Sequence, residues 1–132
     1  MPRNIYGPEH EDFRASVSEF VERTLKPRAE QMLEVKSIDR DIWKEAGSQG
    51  LFGLDIPEEF GGMGAEDYRF NAVSAEVING VNAAVGSCFG IHSDVCPTYI
   101  VDLGTQEQKE RWLPEMAAGE KLCAIAMPEP GV

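Results

Sequence analysis

Apolar side chains recur along most of this chain at the three- and four-residue spacing of a helix face, and only the last stretch breaks that rhythm. From Pro8 to about Lys26, Phe13, Val17, Phe20, Val21 and Leu25 fall on one side. Pro8 suits a first helical position, and Glu9, Glu11 and Asp12 favour the positive end of the helix dipole. Arg23 and Lys26 suit the other end, and Pro27 predicts a break or kink. A short second helix, about Arg28 to Val35, is expected to bury Ala29, Met32 and Leu33. Asp39 reads as the N-cap of a third, with Ile38 and Trp43 stapled across it. That helix carries Ile42, Trp43 and Ala46 inward and is expected to end near Gly50.

Leu51 to Ile56 is a short apolar stretch stopped by Pro57, and Pro57 to Asp67 is a glycine-rich loop. Helical spacing resumes from about Glu66 to Asn79, with Tyr68, Ala72, Ala75 and Val77 among its apolar positions. From Val81 to Leu103 the chain is apolar nearly all round, which predicts a central, mostly buried helix kinked or divided at Pro97. Thr105 and Gln108 form a capping box that opens a helix presenting Trp112, Leu113 and Met116 and ending at Gly119. Leu122 to Pro128 then reads as a strand, with no convincing partner upstream. The expected architecture is all-α, an orthogonal bundle of about six helices, with that strand opening a second domain. The boundary falls between residues 1–121 and 122–132.

Composition narrows the function classes. Of 132 residues, 42% are hydrophobic and 27% charged, the mix of a folded globular protein. No apolar run reaches the roughly 18 residues of a membrane span. The N-terminal residues lack the apolar core of a secretory signal, so a cytoplasmic location is the expectation. Acidic residues outnumber basic ones 23 to 12, for a net charge of −11, and the basic residues are scattered. Nucleic acid is not an expected partner. Cys88, Cys96 and Cys123 form no C-x-x-C pair, and buried, reduced thiols are expected with no metal site. An unpaired strand edge invites association, so a homo-oligomer is expected.

Single-residue chemistry is sparse. Gly61, Gly62 and Gly64 match neither a dinucleotide fingerprint nor a P-loop, and read as a turn requiring positive φ. His92, on the central helix, reads as a packed, hydrogen-bonded histidine in preference to a general base. Glu58, Glu59 and Glu129 read as solvated loop carboxylates.

The order of several longer segments is more informative. GLFGLDIPEEFGGMG (50–64) precedes SAEVI (74–78), then His92, then LGTQEQKERWLPEMAAGEK (103–121) and AIAMPEPG (124–131). Together, G-T-x-E-Q-K-x-x-x-L-P and A-M-x-E-P-G resemble the N-terminal half of the acyl-CoA dehydrogenase family, over about residues 9–132. The resemblance implies an N-terminal helical domain followed by a β-domain and a C-terminal helical bundle. It implies α,β-oxidation of acyl-CoA thioesters, in which a carboxylate removes the α proton and a hydride passes to the flavin of FAD. Electrons would then leave to an electron-transfer flavoprotein.

Carried onto this sequence, the resemblance places Ile125, Met127 and Pro128 at the flavin. It places Ser87, Ile91 and Val95, spaced i, i+4 and i+8 on one helix face, along the far end of the acyl pocket. Pro128 departs from the family pattern, which has a hydroxyl residue there and so keeps a hydroxyl and an N–H that this chain lacks. The family's catalytic glutamate belongs to the C-terminal bundle, so no residue here is assigned as catalytic base. Two other readings stay open: a non-catalytic helical module that binds protein or lipid, and an oxidase or monooxygenase relative with the same fold.

Overall fold

The computed structural model describes residues 5–131 and contains helices and irregular loops, with no strand among those residues. Seven α-helices are α1 (Pro8–Phe20), α2 (Ala29–Val35), α3 (Arg40–Ser48), α4 (Arg69–Asn79), α5 (Ala83–Gly90), α6 (Cys96–Leu103) and α7 (Gln106–Ala117). A π turn at Val21–Leu25 and a 3-10 turn at Lys26–Arg28 join α1 to α2, and a π turn at Ile91–Val95 joins α5 to α6. The described chain therefore has five continuous helical rods where the spacing predicts about six helices. No helix among them is long and apolar enough to cross a membrane.

Both π turns end two residues before a proline, Pro27 in one case and Pro97 in the other. A proline ring clashes with the carbonyl four residues back and offers no N–H to it. Those carbonyls, of Arg23 and Ser93, lie inside the π turns, where the helix widens instead of breaking. Lys26 N–H bonds the Val21 carbonyl and Cys96 N–H bonds the Ile91 carbonyl, each five residues back. The break or kink expected at Pro27 and the kink or division expected at Pro97 thus take the form of altered turns through which the helical chain runs on, with Arg28 at φ −110° and ψ 5° departing from helical geometry just after Pro27.

The other boundaries follow their local chemistry. Asn82 caps α5, its Oδ1 accepting from Ala84 N–H at 3.1 Å and Val85 N–H at 3.2 Å. Thr105 and Gln108 form the capping box of α7. Asp39 occupies the N-cap of α3 but makes no side-chain cap bond. In the glycine-rich loop, Gly61 and Gly64 take positive φ, and the loop folds back on residues 53–56. There Met63 N–H bonds the Gly53 carbonyl at 2.7 Å, and Ala65 N–H bonds that of Leu54 at the same distance.

The core is built by α1, α3, α4 and α5 closing on Leu51 and Phe52, with Val17, Phe20, Leu25, Ile42, Ala46, Val85 and Phe89 among its buried members. A second cluster, Ile56, Phe60, Leu113 and Ala117, seats α7 against the glycine-rich loop, with Ile100 and Val101 of α6 alongside. Leu33, expected inside, is 67% exposed. The α2 helix has only seven residues, and Met32 alone is buried on it. The central rod is likewise not apolar-buried all round: Ser87, Cys88, Val95, Tyr99 and Leu103 stand on its exposed side. Cys88 is accordingly a free, exposed thiol, not a buried one.

His92 sits at the centre, fully buried. Its ring meets Phe52 edge-on at 4.6 Å and Trp43 edge-on at 5.4 Å, and the rings of Trp43, Phe52 and Phe89 pack against one another, tilted or edge-on, with centroids within 5.4 Å. Such contacts contribute about 0.5–1.5 kcal/mol each beyond area burial. Nε2 lies 3.0 Å from the Met116 carbonyl of α7. Since a carbonyl only accepts, Nε2 carries the hydrogen and the neutral ring leaves Nδ1 bare. The packed histidine expected from the sequence is what the fold contains.

Residues 122–129 carry no ladder, which corrects the expected strand at Leu122–Pro128. The β-prone side chains are present, but a strand needs a hydrogen-bonding neighbour and the described residues supply none. Val132, the last residue of the 122–132 stretch expected to open a second domain, lies outside the described residues.

Two outcomes follow from this packing. Gly119, at φ +69° beyond α7, lies against the Trp43 carbonyl, which an added Cβ would meet at 2.2 Å, whereas Gly90 has nothing within 4 Å. Gly119→Ala should lower stability by at least about 2 kcal/mol, and Gly90→Ala should raise it by about 0.5–1 kcal/mol; urea denaturation measures both. Burial also lowers the His92 pKa. At acid pH the unfolded chain then binds the proton that the folded ring refuses. The stability His92 confers is present above its unfolded pKa of about 6.5 and is lost as pH falls through the lower folded value. Thermal melts of wild type and His92→Gln should converge on acidification, whereas parallel curves would contradict the assignment.

Candidate functional site

The rod α5–α6 offers one continuous outward face. Ser87 and Val95 are exposed, and Ile91 is half-buried between them. The four-residue spacing survives the π turn and continues through Tyr99 to Leu103, which are 54% and 79% exposed. Large apolar side chains left open in a row are not needed to fold the bundle, whose core is complete without them. Sequence reasoning named Ser87, Ile91 and Val95 but counted Tyr99 and Leu103 as interior; the signal that identifies them is the same i+4 series carried two steps further.

Val95 lines a depression with Thr98, Tyr99, Leu103 and two carboxylates, Asp94 and Asp102. Asp94 is held in place from three sides. Its Oδ1 accepts from Asn71 Nδ2 at 2.7 Å and from Ser93 Oγ at 3.0 Å, and its Oδ2 accepts from Tyr68 Oη at 3.2 Å. The other Asn71 N–H reaches Asp55 Oδ2 at 2.6 Å. Burial, and secondarily the Asp94 charge, raises the Asp55 pKa against the opposing hydrogen bond from Asn71. The rim of the depression is therefore acidic.

Tyr99 and Leu103 also floor a larger open groove of about 810 Å³ between α6 and α7. Its opposite wall is Trp112 and Met116, and it is closed at one side by Leu122 and Cys123. Tyr99 and Leu103 line both hollows, so the depression at Val95 adjoins this groove and, through it, the segment after α7. In that segment Ile125 is half-buried, while Met127 and Pro128 are exposed. No main-chain hydrogen bond from Ala124 to Glu129 reaches the helical bundle among the described residues. Along this segment, main-chain amides alternate with the apolar side chains of Ile125 and Met127. Pro128 interrupts that series, because it has no N–H.

The nucleophilic and basic groups nearby are set for structure. Cys123 Sγ lies 3.0 Å from His92 Nδ1, the arrangement of a thiol beside a base. Burial, reinforced by the neighbouring Cys96 thiol, pushes the Cys123 pKa up to about 12, which disfavours the thiolate that reacts. His92 spends Nε2 on the Met116 carbonyl, so neither group has catalytic freedom. Among the described residues no group of three or more His, Cys, Asp or Glu is placed to hold a metal ion. The other histidine, His10, is buried in the first turn of α1, and the sequence alone points to no role for it: its Nδ1 accepts Gly7 N–H at 2.9 Å and its Nε2 reaches Asp67 at 3.1 Å.

Comparison with known proteins agrees with the helical order. A family model for the acyl-CoA dehydrogenase N-terminal domain matches residues 7–120. The mitochondrial long-chain specific acyl-CoA dehydrogenase of Rattus norvegicus is 40% identical over 129 residues, covering 98% of this chain and 30% of that protein. The crystal structure of acyl-CoA dehydrogenase from Geobacillus kaustophilus superposes with a TM-score of 0.92 at 33% identity, over 99% of this chain and 34% of the other. That of acyl-CoA dehydrogenase complexed with FAD from Bacillus anthracis gives 0.88 at 34% identity, over 100% and 22%. The chain thus spans about a third or less of the length of these relatives. With the family model covering most of the described residues, this chain belongs to the acyl-CoA dehydrogenase family, and what it constitutes is the N-terminal domain.

Proposed function

We propose that this domain forms one wall of the acyl pocket, through Ser87, Ile91 and Val95, and one edge of the flavin site, through Ile125, Met127 and Pro128, in an enzyme that oxidises acyl-CoA thioesters. The observation that carries the reading is the open face from Ser87 to Leu103, left unburied by a bundle that is otherwise well packed. Tyr99 and Leu103 extend that wall toward the flavin edge along the groove between α6 and α7. The acidic rim at Asp94 and Asp102 sets a direction, because it repels the phosphates of coenzyme A and leaves the neutral acyl tail as the part that lies here.

FAD, when bound, would supply the hydride acceptor; the residues of this chain shape and exclude. Ile125 and Met127 offer apolar surface and main-chain N–H donors to the ring. Ile91 and Val95 shield the acyl chain from water. The base that takes the α proton and the contacts to an electron-transfer flavoprotein would be furnished outside these residues, since the buried His92 and the solvated carboxylates stand in no such geometry. The domain by itself should therefore hold FAD weakly and turn nothing over. A single neutral hydrogen bond contributes only about 0.5–1.5 kcal/mol, so one edge of a site gives little affinity.

Val95→Phe in the complete enzyme should shift preference toward shorter acyl chains. Because Val95 is already 36% exposed, the same change should alter stability by no more than about 0.5 kcal/mol. Steady-state rates across an acyl-CoA length series, read beside a denaturation curve, separate the two effects. An unchanged length profile with unchanged stability would remove Val95 from the pocket. For the isolated domain, calorimetry with FAD and a dye-reduction assay should show neither submicromolar binding nor turnover.

A further inference from the structure

We propose that His92 is a positioning residue: it anchors the main chain at Cys123 and so fixes where the Ile125–Pro128 segment leaves the helical bundle. The significance of that anchor rests on the flavin-edge reading above, although the anchor itself does not. Upstream, the chain leaving α7 is well tied, with Glu120 and Lys121 N–H groups on the Glu115 carbonyl and Arg40 on the Glu120 carbonyl. Cys123 N–H then donates to His92 Nδ1 at 3.3 Å. Beyond it, no main-chain hydrogen bond from Ala124 to Glu129 reaches the bundle among the described residues. His92 is therefore the last hydrogen-bonded hold on the chain before the proposed flavin edge.

The ring is suited to that task. It is fully buried and wedged edge-on against Phe52 and Trp43, so it has no room to swing. The Met116 carbonyl, 3.0 Å from Nε2, forces the tautomer that leaves Nδ1 as an acceptor. Nδ1 has one lone pair, and two donors of Cys123 approach it, the N–H at 3.3 Å and the Sγ at 3.0 Å. The thiol has an alternative acceptor in the His92 carbonyl at 3.8 Å, whereas the main-chain N–H has no other among the described residues. Allocation of the lone pair to the N–H satisfies both donors. One side chain thereby ties together the π turn, the end of α7 and the departing segment.

Two substitutions separate the halves of this bridge. Asparagine places an amide oxygen near the Nδ1 position and keeps the acceptor for Cys123. Glutamine places an amide nitrogen near Nε2 and keeps the donor to Met116 while losing the anchor. Amide hydrogen exchange of the 132-residue chain, followed by NMR at neutral pH, should show the Cys123 N–H exchanging about tenfold faster in His92→Gln than in wild type. In His92→Asn, and in Cys123→Ala, which retains the N–H, exchange should stay within about threefold. Equal acceleration in His92→Asn and His92→Gln, or none in either, would overturn the proposal.

Should His92→Gln fail to fold, Cys123→Pro removes the donor with the ring intact. It should raise the backbone mobility of residues 124–127 without loosening the core, and an unaltered segment would count against the anchor. Millimolar FAD added to wild type should shift the Ile125 and Met127 amides, with about tenfold weaker apparent binding in His92→Gln. Absence of any FAD shift in wild type would defeat the flavin-edge reading, while the exchange rates would still decide the anchor.

Discussion

The arrangement depends on one hydrogen bond whose direction is forced, that from His92 Nε2 to the buried Met116 carbonyl. Because a carbonyl can only accept, the imidazole carries a hydrogen on Nε2; burial, which outweighs the opposing effect of the Met116 bond on the pKa, and the Cys123 N–H donating to Nδ1 keep the ring neutral. Everything around the ring conforms to that state. Trp43 and Phe52 present their rings edge-on to it, and Cys123 brings a donor to the remaining nitrogen. His10 repeats the pattern near the other end of the described chain, with Nδ1 accepting a main-chain N–H and Nε2 facing an acceptor. In each case a ring on a helix takes hold of chain outside that helix, a job for which imidazole's opposed donor and acceptor are suited.

The helices were largely legible because their signals are local. Spacing, the capping box at Thr105 and the glycine stop at Gly119 each act within a turn or two. What the prolines do was less legible. Pro27 predicts a break or kink and Pro97 a kink or division, and the helical chain runs on past both, because a widened turn relieves the clash at little cost when the flanking residues are well packed. That outcome depends on tertiary support, which no window of sequence contains. The strand at Leu122–Pro128 failed for a related reason: β-structure is a property of pairs, and propensity in one segment does not create its neighbour.

Site residues divide along the same line. Ser87, Ile91 and Val95 came from a resemblance plus helical spacing, and the fold shows why they share a face without assigning them a ligand. Tyr99 and Leu103 read as interior from sequence because apolarity alone does not distinguish a core face from an exposed one. The anchoring role of His92 was invisible, since it joins residues 31 positions apart in sequence. The acyl-CoA dehydrogenase domain thus combines a closed core, readable from local pattern, with an open face and a tethered segment that take their meaning from contacts across the fold.

The central claim is that a neutral His92, with its hydrogen on Nε2, bridges α7 to the departing segment. Its most direct test is the nitrogen-15 NMR spectrum of the His92 imidazole at neutral pH. The account predicts a protonated Nε2 and a bare Nδ1 coupled to the Cys123 amide hydrogen. A hydrogen on Nδ1, or a ring charged at neutral pH, would contradict it.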